Sequence, residues 1–176
     1  MTTYQLAVLA AAAFALIGSA GSLYLSLGMG LHACPLCFYQ RSFVMATFAV
    51  LAVGWLAAGG RVNLAVLAVP TALAGFVLAL MHTRLALTGG LECPNGLFGP
   101  APVDSLAIHA LLVAALAVGC FAGTEAEVGH LGAIGLGVIL GVAMAYGCLN
   151  SNPPPAEPKQ PYDAPPIICR KPYQPQ

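Results

Sequence analysis

The sequence predicts an all-α integral membrane protein: a bundle of transmembrane helices followed by a proline-rich aqueous tail. Three observations predict it. Of 176 residues, 59% are hydrophobic and 7% are charged, against about 25% charged in a soluble domain. So few charges cannot cover a water-facing surface. Five segments approach the roughly 20 apolar residues that cross a bilayer. Nine of the fourteen prolines fall in the last 27 residues, where a continuous helix is excluded by the missing N–H and the restricted preceding residue.

The spans are expected at about 5–28, 38–58, 64–87, 104–123 and 131–149, so that residues 1–149 form the bundle and 150–176 the tail. The first has no Lys or Arg before its apolar run, and the run continues through SLYLSL. It therefore reads as an uncleaved span rather than a signal peptide. Ser19, Ser22 and Ser26 are tolerable there if their hydroxyls bond back to helix carbonyls. The second span ends at Gly59-Gly60-Arg61 and the third at Thr88-Gly89-Gly90. A short polar link, TEAEVGH, separates the fourth and fifth, and Gly137-x-x-x-Gly141 suits close helix packing. The tail is expected to be extended, with polyproline II character. Formal net charge is zero, so nothing points to nucleic acid; the implied surroundings are membrane lipid.

Five spans put the termini on opposite sides. Residues 29–37, 88–103 and the tail then share one face, which holds Cys34, Cys37, Cys93, Cys148 and Cys169. Only Cys120 lies toward the other. Cysteines gathered on one face point to an oxidising compartment. The positive-inside rule points the other way, because Lys159, Arg170 and Lys171 are on the cysteine face and only Arg61 is in the opposite loops. With six basic residues in all, the cysteine distribution is given the greater weight.

The chemistry concentrates in residues 34–41, CPLCFYQR. A thiolate, not a thiol, attacks a disulfide, so an active pair needs one sulfur with a lowered pKa. Cys34 and Cys37 precede the second span, where unpaired N–H groups and the positive end of the helix dipole favour a thiolate. Arg41 follows Cys37 by four residues on the same helical face, and its charge would stabilise a thiolate or a reduced, anionic acceptor. An arginine at the membrane edge is a functional candidate by default, although it can simply anchor a helix among headgroups. A Cys-x-x-Cys can also be half of a zinc site. No second such pair exists and the other cysteines are scattered, so no metal is expected. A purely structural disulfide is the remaining alternative.

Cys34-Pro-Leu-Cys37-Phe-Tyr39-Gln-Arg41 at the start of a second span resembles the DsbB family, membrane quinone reductases that reoxidise a periplasmic thioredoxin-like dithiol oxidase. His82-Thr83 near the end of the third span, with Cys93 in the loop beyond, matches the family as well. The resemblance covers roughly residues 5–123 and implies a four-helix DsbB-like transmembrane bundle, here with a fifth span. It implies that Cys34 exchanges with a second cysteine pair, that Cys37 lies beside the quinone, and that Arg41 and His82 hold the quinone oxygens. The implied cofactor is ubiquinone or menaquinone, and the implied partners are a DsbA-like oxidase and the quinone pool. The implied location is the bacterial inner membrane, multi-pass, with the redox cysteines on the periplasmic face. Such oxidases sit near about −120 mV, so only a high-potential acceptor can keep one oxidised.

Besides the fifth span, the chain departs from the family in its second cysteine pair. Its second outer loop, LECPNGLFGPAPVD, holds Cys93 alone. The second pair is Cys93 with Cys148 or Cys169, or else Cys148–Cys169 with Cys93 left over; the position of Cys93 favours the first arrangement. The tail would then do the work of the missing loop segment. Among other residues, His109 reads as a hydrogen-bonded interior histidine with a quinone role as the alternative, His32 as interfacial with tuning of the Cys34 thiolate as the alternative, Cys120 as a small apolar residue, and Trp55 and Tyr39 as interface aromatics. The resemblance places Tyr39 near the redox centre. His130, Glu125 and Glu127 read as a solvated turn. Rival readings are a vitamin-K-epoxide-reductase-like enzyme, a non-catalytic protein braced by disulfides, and a reductase running the same relay outward.

Overall fold

A computed structural model describes residues 1–58, 63–122, 128–151 and 157–175. They form five helices: α1 (Thr3–Leu27), α2 (Pro35–Ala58), α3 (Leu64–Leu87), α4 (Ala101–Ala122) and α5 (Val128–Ser151). All five are long and apolar enough to cross a membrane. Gly59-Gly60-Arg61, Glu125 and Glu127 lie outside the described residues, as does the side chain of His130.

The helix starts explain where the expected ends were off. α2 begins at Pro35 and α4 at Ala101, each three residues before the expected start. Proline is pre-organised for the first helical turn and lacks an N–H that would go unpaired there. The apolar run therefore understates each helix. α1 opens with a capping box in which Thr2 and Gln5 exchange side chain-to-backbone bonds. The Asn63 side chain accepts from Val66 N at the start of α3.

Helices α1 to α4 pack in a ring, each against its two neighbours, and α5 lies outside the ring against α3. The interior is lined by small side chains, among them Ala11, Ala15, Ala65, Ala68 and Ala72, all nearly inaccessible. Without a hydrophobic drive between helices in lipid, close backbone approach supplies the association. α5 uses the Gly-x-x-x-Gly pattern in this way. A Cβ on Gly141 would meet Pro70 O at 2.8 Å, and one on Gly137 would meet Val69 at 3.2 Å. Large apolar side chains such as Leu16, Leu56, Val118 and Ile139 face outward, as a lipid-facing surface requires.

Five cysteines lie at one end of the bundle. Cys34, Cys37, Cys93, Cys148 and Cys169 belong to a cluster around Ala74, Leu78 and Leu91. Cys120 packs instead with Val8, Ala65 and Leu116 in the other core cluster. This matches the segregation expected from the order of the spans.

Candidate active site

The site is assembled from α2, α3, the loop after α3 and the tail. At the start of α2 the Cys34 carbonyl accepts from Phe38 N at 2.8 Å. Its sulfur accepts from Cys37 N at 3.3 Å. Cys34 thus occupies the N-cap position, with sulfur in the role usually taken by a serine or aspartate oxygen. Its sulfur also lies 3.0 Å from that of Cys37. The hydrogen bond from the Cys37 thiol is the largest influence on Cys34. Against the opposing effect of burial, and with help from His82, it holds the Cys34 thiol well below the ordinary thiol range.

His82 sits fully buried on α3, between the two cysteine pairs. Its Nε2 is 3.2 Å from Cys93 Sγ, 3.3 Å from Cys169 Sγ and 4.0 Å from Cys34 Sγ. Its Nδ1 is 3.9 Å from Cys37 Sγ and 3.1 Å from Gln40 Nε2. The Gln40 oxygen accepts from Ser105 Oγ at 2.6 Å, so its amide nitrogen faces Leu78 O and the imidazole. An amide donor at Nδ1 makes Nδ1 the acceptor, which places the ring proton on Nε2, facing the sulfurs.

The second pair is Cys93–Cys169, a disulfide across 76 residues with Cα atoms 4.2 Å apart. Two local devices bring it together. After α3 the chain reverses through Gly89 at φ +73°. Gly90 N bonds to Leu85 O and Gly89 N to Ala86 O, a Schellman turn that needs glycine at its left-handed position. The tail then pairs with the emerging loop: Glu92 and Arg170 exchange both backbone hydrogen bonds, at 2.7 and 3.0 Å. In antiparallel pairing this sets Cys93 opposite Cys169. Arg170 fastens the tail further through Glu92 Oε2 at 3.2 Å, Ala164 O at 2.8 Å and the Tyr162 ring at 3.6 Å. The expected choice among three pairings is therefore resolved as Cys93 with Cys169. Cys148, also expected as a relay cysteine, packs half-buried beside the cluster and carries no disulfide.

Arg41 projects toward α1. Its Nε donates to Ser22 Oγ at 2.8 Å, and a terminal nitrogen donates to Ser22 O at 2.9 Å and to Ser26 Oγ. Of the three serines expected to bond back to their own helix, only Ser19 does, to Ala15 O at 2.8 Å; Ser22 and Ser26 serve the guanidinium instead. Among the described residues the ion pairs are Arg170–Glu92 and Lys171–Glu157, so Arg41 has no carboxylate partner. Its charge borders a cavity of about 320 Å³, lined also by Cys37, His82 and apolar residues of α1 and α4 such as Ile17 and Ile108.

Sequence reasoning missed Gln40 and Ser105, which link His82 to α4. Both were visible as polar residues inside apolar spans. His109 is the interior histidine expected: its Nδ1 donates to Ser105 O at 2.8 Å, and its ring fills the space a Cβ on Gly75 would occupy, 2.7 Å away.

Two cysteine pairs converging on one buried histidine, at the end of an apolar helical bundle, define a membrane protein with a cysteine redox centre. The family model of disulfide bond formation protein DsbB matches residues 3–103, more than half of the chain, and the protein belongs to the DsbB family. Over 89 residues it is 36% identical to disulfide bond formation protein B of Burkholderia thailandensis, an alignment covering 49% of this chain and 52% of that protein. The chain thus spans about half the length of the curated relative it matches. No solved structure matches it. The matched segment contains Cys34, Cys37, Arg41, His82 and Cys93; Cys148 and Cys169 lie beyond it.

Proposed function

We propose that the protein is a disulfide-generating oxidoreductase of the bacterial inner membrane, with its cysteine end facing the periplasm. It oxidises a thioredoxin-fold, DsbA-like dithiol oxidase and passes two electrons to a respiratory quinone. The observation that carries this reading is the convergence of Cys34, Cys37 and Cys169 on His82, with all four ligand atoms within 4.8 Å of one another. Thiol exchange between the pairs then requires only side-chain movement.

In this relay a partner thiolate attacks Cys93, and Cys169 leaves as a thiolate. The Nε2–H of His82, within hydrogen-bond reach of both sulfurs, stabilises the leaving group. The partner's second thiol displaces Cys93, so one partner disulfide forms as Cys93–Cys169 is reduced. Cys169 next attacks Cys34 of an oxidised Cys34–Cys37 pair and releases Cys37. Cys93 then displaces Cys34 from the mixed disulfide, re-forming Cys93–Cys169. Cys34 and Cys37 are left as thiols. The N-terminus of α2 and the Cys37 thiol favour Cys34 as a leaving thiolate.

The cavity beside Cys37 suits a quinone head group. It has a largely apolar wall, a volume at the low end of the usual range of about 300–1,000 Å³ for ligand sites, and a guanidinium that forms no ion pair among the described residues, with Asp104 also in the lining. A bound quinone supplies the two-electron, two-proton acceptor. Arg41 holds an oxygen bearing negative charge, and Ser22 and Ser26 fix the guanidinium in place.

Purified protein mixed with a reduced thioredoxin-fold oxidase and a soluble ubiquinone or menaquinone analogue tests the reading. Loss of quinone absorbance should depend on the partner and disappear in Cys37→Ser. Folded, oxidised protein that turns over neither quinone would refute the reading and favour a structural brace.

A further inference from the structure

We propose that the fully reduced protein holds one soft divalent metal ion, zinc foremost, on Cys34, Cys37, Cys169 and His82. This goes beyond the electron relay and does not depend on it.

The sequence argues against zinc because its single Cys-x-x-Cys has no matching second pair. Folding removes that objection. The tail supplies a third sulfur and α3 an imidazole, and the four donor atoms lie within 4.8 Å of one another. A tetrahedral zinc site has metal–sulfur distances of about 2.3 Å and metal–nitrogen distances of about 2.0–2.1 Å, which sets donors roughly 3.5–3.8 Å apart. With Cys169 still joined to Cys93, the separations already bracket that value: 3.0 Å between Cys34 and Cys37, 3.3 Å from Cys169 to His82 Nε2, and 4.0 Å from Cys34 to the same nitrogen, so that reduction frees a sulfur already in place. Three of the four residues are buried or half-buried on helix ends, and Cys169 is fastened through its neighbour Arg170.

A second group favours ligation. A histidine binding metal through Nε2 carries its proton on Nδ1 and needs an acceptor there. Gln40 lies 3.1 Å from Nδ1. Turning its terminal amide by half a rotation presents the carbonyl to Nδ1–H and the NH₂ to Ser105 Oγ, exchanging the 3.3 Å bond to Leu78 O for these two. The ring can thus switch from donor to the sulfurs to ligand of a metal without leaving its place.

The balance involves no electrons. Three thiols lose their protons, and the ion gains three thiolates and one neutral imidazole. The resulting charge of −1 lies beside the cavity bordered by Arg41. Oxidation of either cysteine pair removes ligands: Cys34–Cys37 takes two and Cys93–Cys169 takes one. The site therefore exists only when both pairs are reduced. A metal ion seated there holds the protein in that state.

The test uses the full chain in detergent, reduced, freed of reductant under anaerobic conditions and titrated with Co²⁺. One equivalent should give the visible bands of tetrahedral cobalt and the near-ultraviolet thiolate-to-metal band. Zn²⁺ should bleach both, and oxidised protein should give neither. Cys169→Ser and His82→Ala should each weaken binding by about tenfold or more, the least that loss of a metal ligand entails. Cys120→Ser and Cys148→Ser should bind as the parent does. Cys169 lies in the tail, so its loss leaves the bundle intact, which helical circular dichroism checks. No tetrahedral band from reduced, helical protein would overturn the proposal, as would full affinity in Cys169→Ser.

Discussion

At the end of the bundle where α1 and α3 begin, Cys120 is buried among Val8, Ala11, Ala65 and Leu116. At the other end Cys34 is buried to a similar degree, yet beside it stand a second thiol, an imidazole and a helix N-terminus. Both sulfurs are hidden from water, so burial does not separate them. What marks Cys34 is the second thiol, the imidazole and the helix N-terminus beside it, and a thiol acquires redox chemistry from groups that stabilise its thiolate. The apolar end fixes the helices, and that lets the other end hold its cysteines and His82 in place.

The sharpest way to break this comparison is to remove one sulfur at each end. Cys169→Ser should reduce partner-dependent quinone reduction to background, because the second disulfide cannot form. Cys120→Ser and Cys148→Ser should keep partner-dependent activity per folded molecule, because neither sulfur belongs to the two exchanging pairs. Full activity in Cys169→Ser would move the relay to Cys148, whose place beside the cluster keeps it the natural substitute.

The pH dependence of the cysteine end sharpens the same contrast. The Cys34 thiol is held below the ordinary thiol range, chiefly by the neighbouring Cys37 thiol. A group with a depressed folded-state pKa contributes stability that is complete above its unfolded value and is lost as pH falls through the folded value. Reduced protein should therefore gain folding stability from Cys34 as pH rises from the acid side toward the ordinary thiol range. Thermal unfolding of parent and Cys34→Ser across that window reads the difference, which should vanish at the acid end. A pH-independent difference would show that packing, not thiolate formation, is what the position supplies.

Much of this was legible in the sequence. The spans follow from runs of apolar residues, and Cys34, Cys37 and Arg41 announce themselves because cysteines and a cation at a helix mouth are costly without a purpose. The Cys93–Cys169 pairing was open, since nothing local links residues 76 apart. It is set by a backbone pairing of Glu92 with Arg170 in segments that carry no strand periodicity. The partners of Arg41 were misassigned for a related reason. Ser22 and Ser26 satisfy a back-bonding rule as single residues, and only their spacing of four toward a facing arginine gives them another use.

The bundle core and the fifth helix offer a second contrast. Gly141→Ala drives a methyl toward Pro70 O at 2.8 Å, whereas a methyl at Gly135 meets nothing within 4 Å. Gly141→Ala should cost about 1–3 kcal/mol, the usual penalty of overpacking, and should loosen α5 from α3. Gly135→Ala should be neutral or stabilising by up to about 1 kcal/mol, from helix propensity alone. Thermal unfolding in detergent compares them, and equal effects would mean that α5 does not depend on close approach at Pro70.

The smallest effect is expected where the tail is fastened. Arg170 is mostly enclosed and makes an ion pair, a carbonyl bond and a ring contact. Its neighbour Lys171 reaches only a largely exposed Glu157, at 3.5 Å. Solvent screening leaves exposed pairs worth about 0–1 kcal/mol, and a cation–π contact at such a site adds about 0.5–1 kcal/mol. Arg170→Ala should therefore weaken tail docking by about 1 kcal/mol, read as roughly fivefold faster amide exchange at Glu92 and Arg170. Lys171→Ala should leave that exchange unchanged. Equal acceleration in both would mean that the tail is held by its general positive charge rather than by the particular bonds of Arg170, and the placement of Cys169 over His82 would then rest on the disulfide alone.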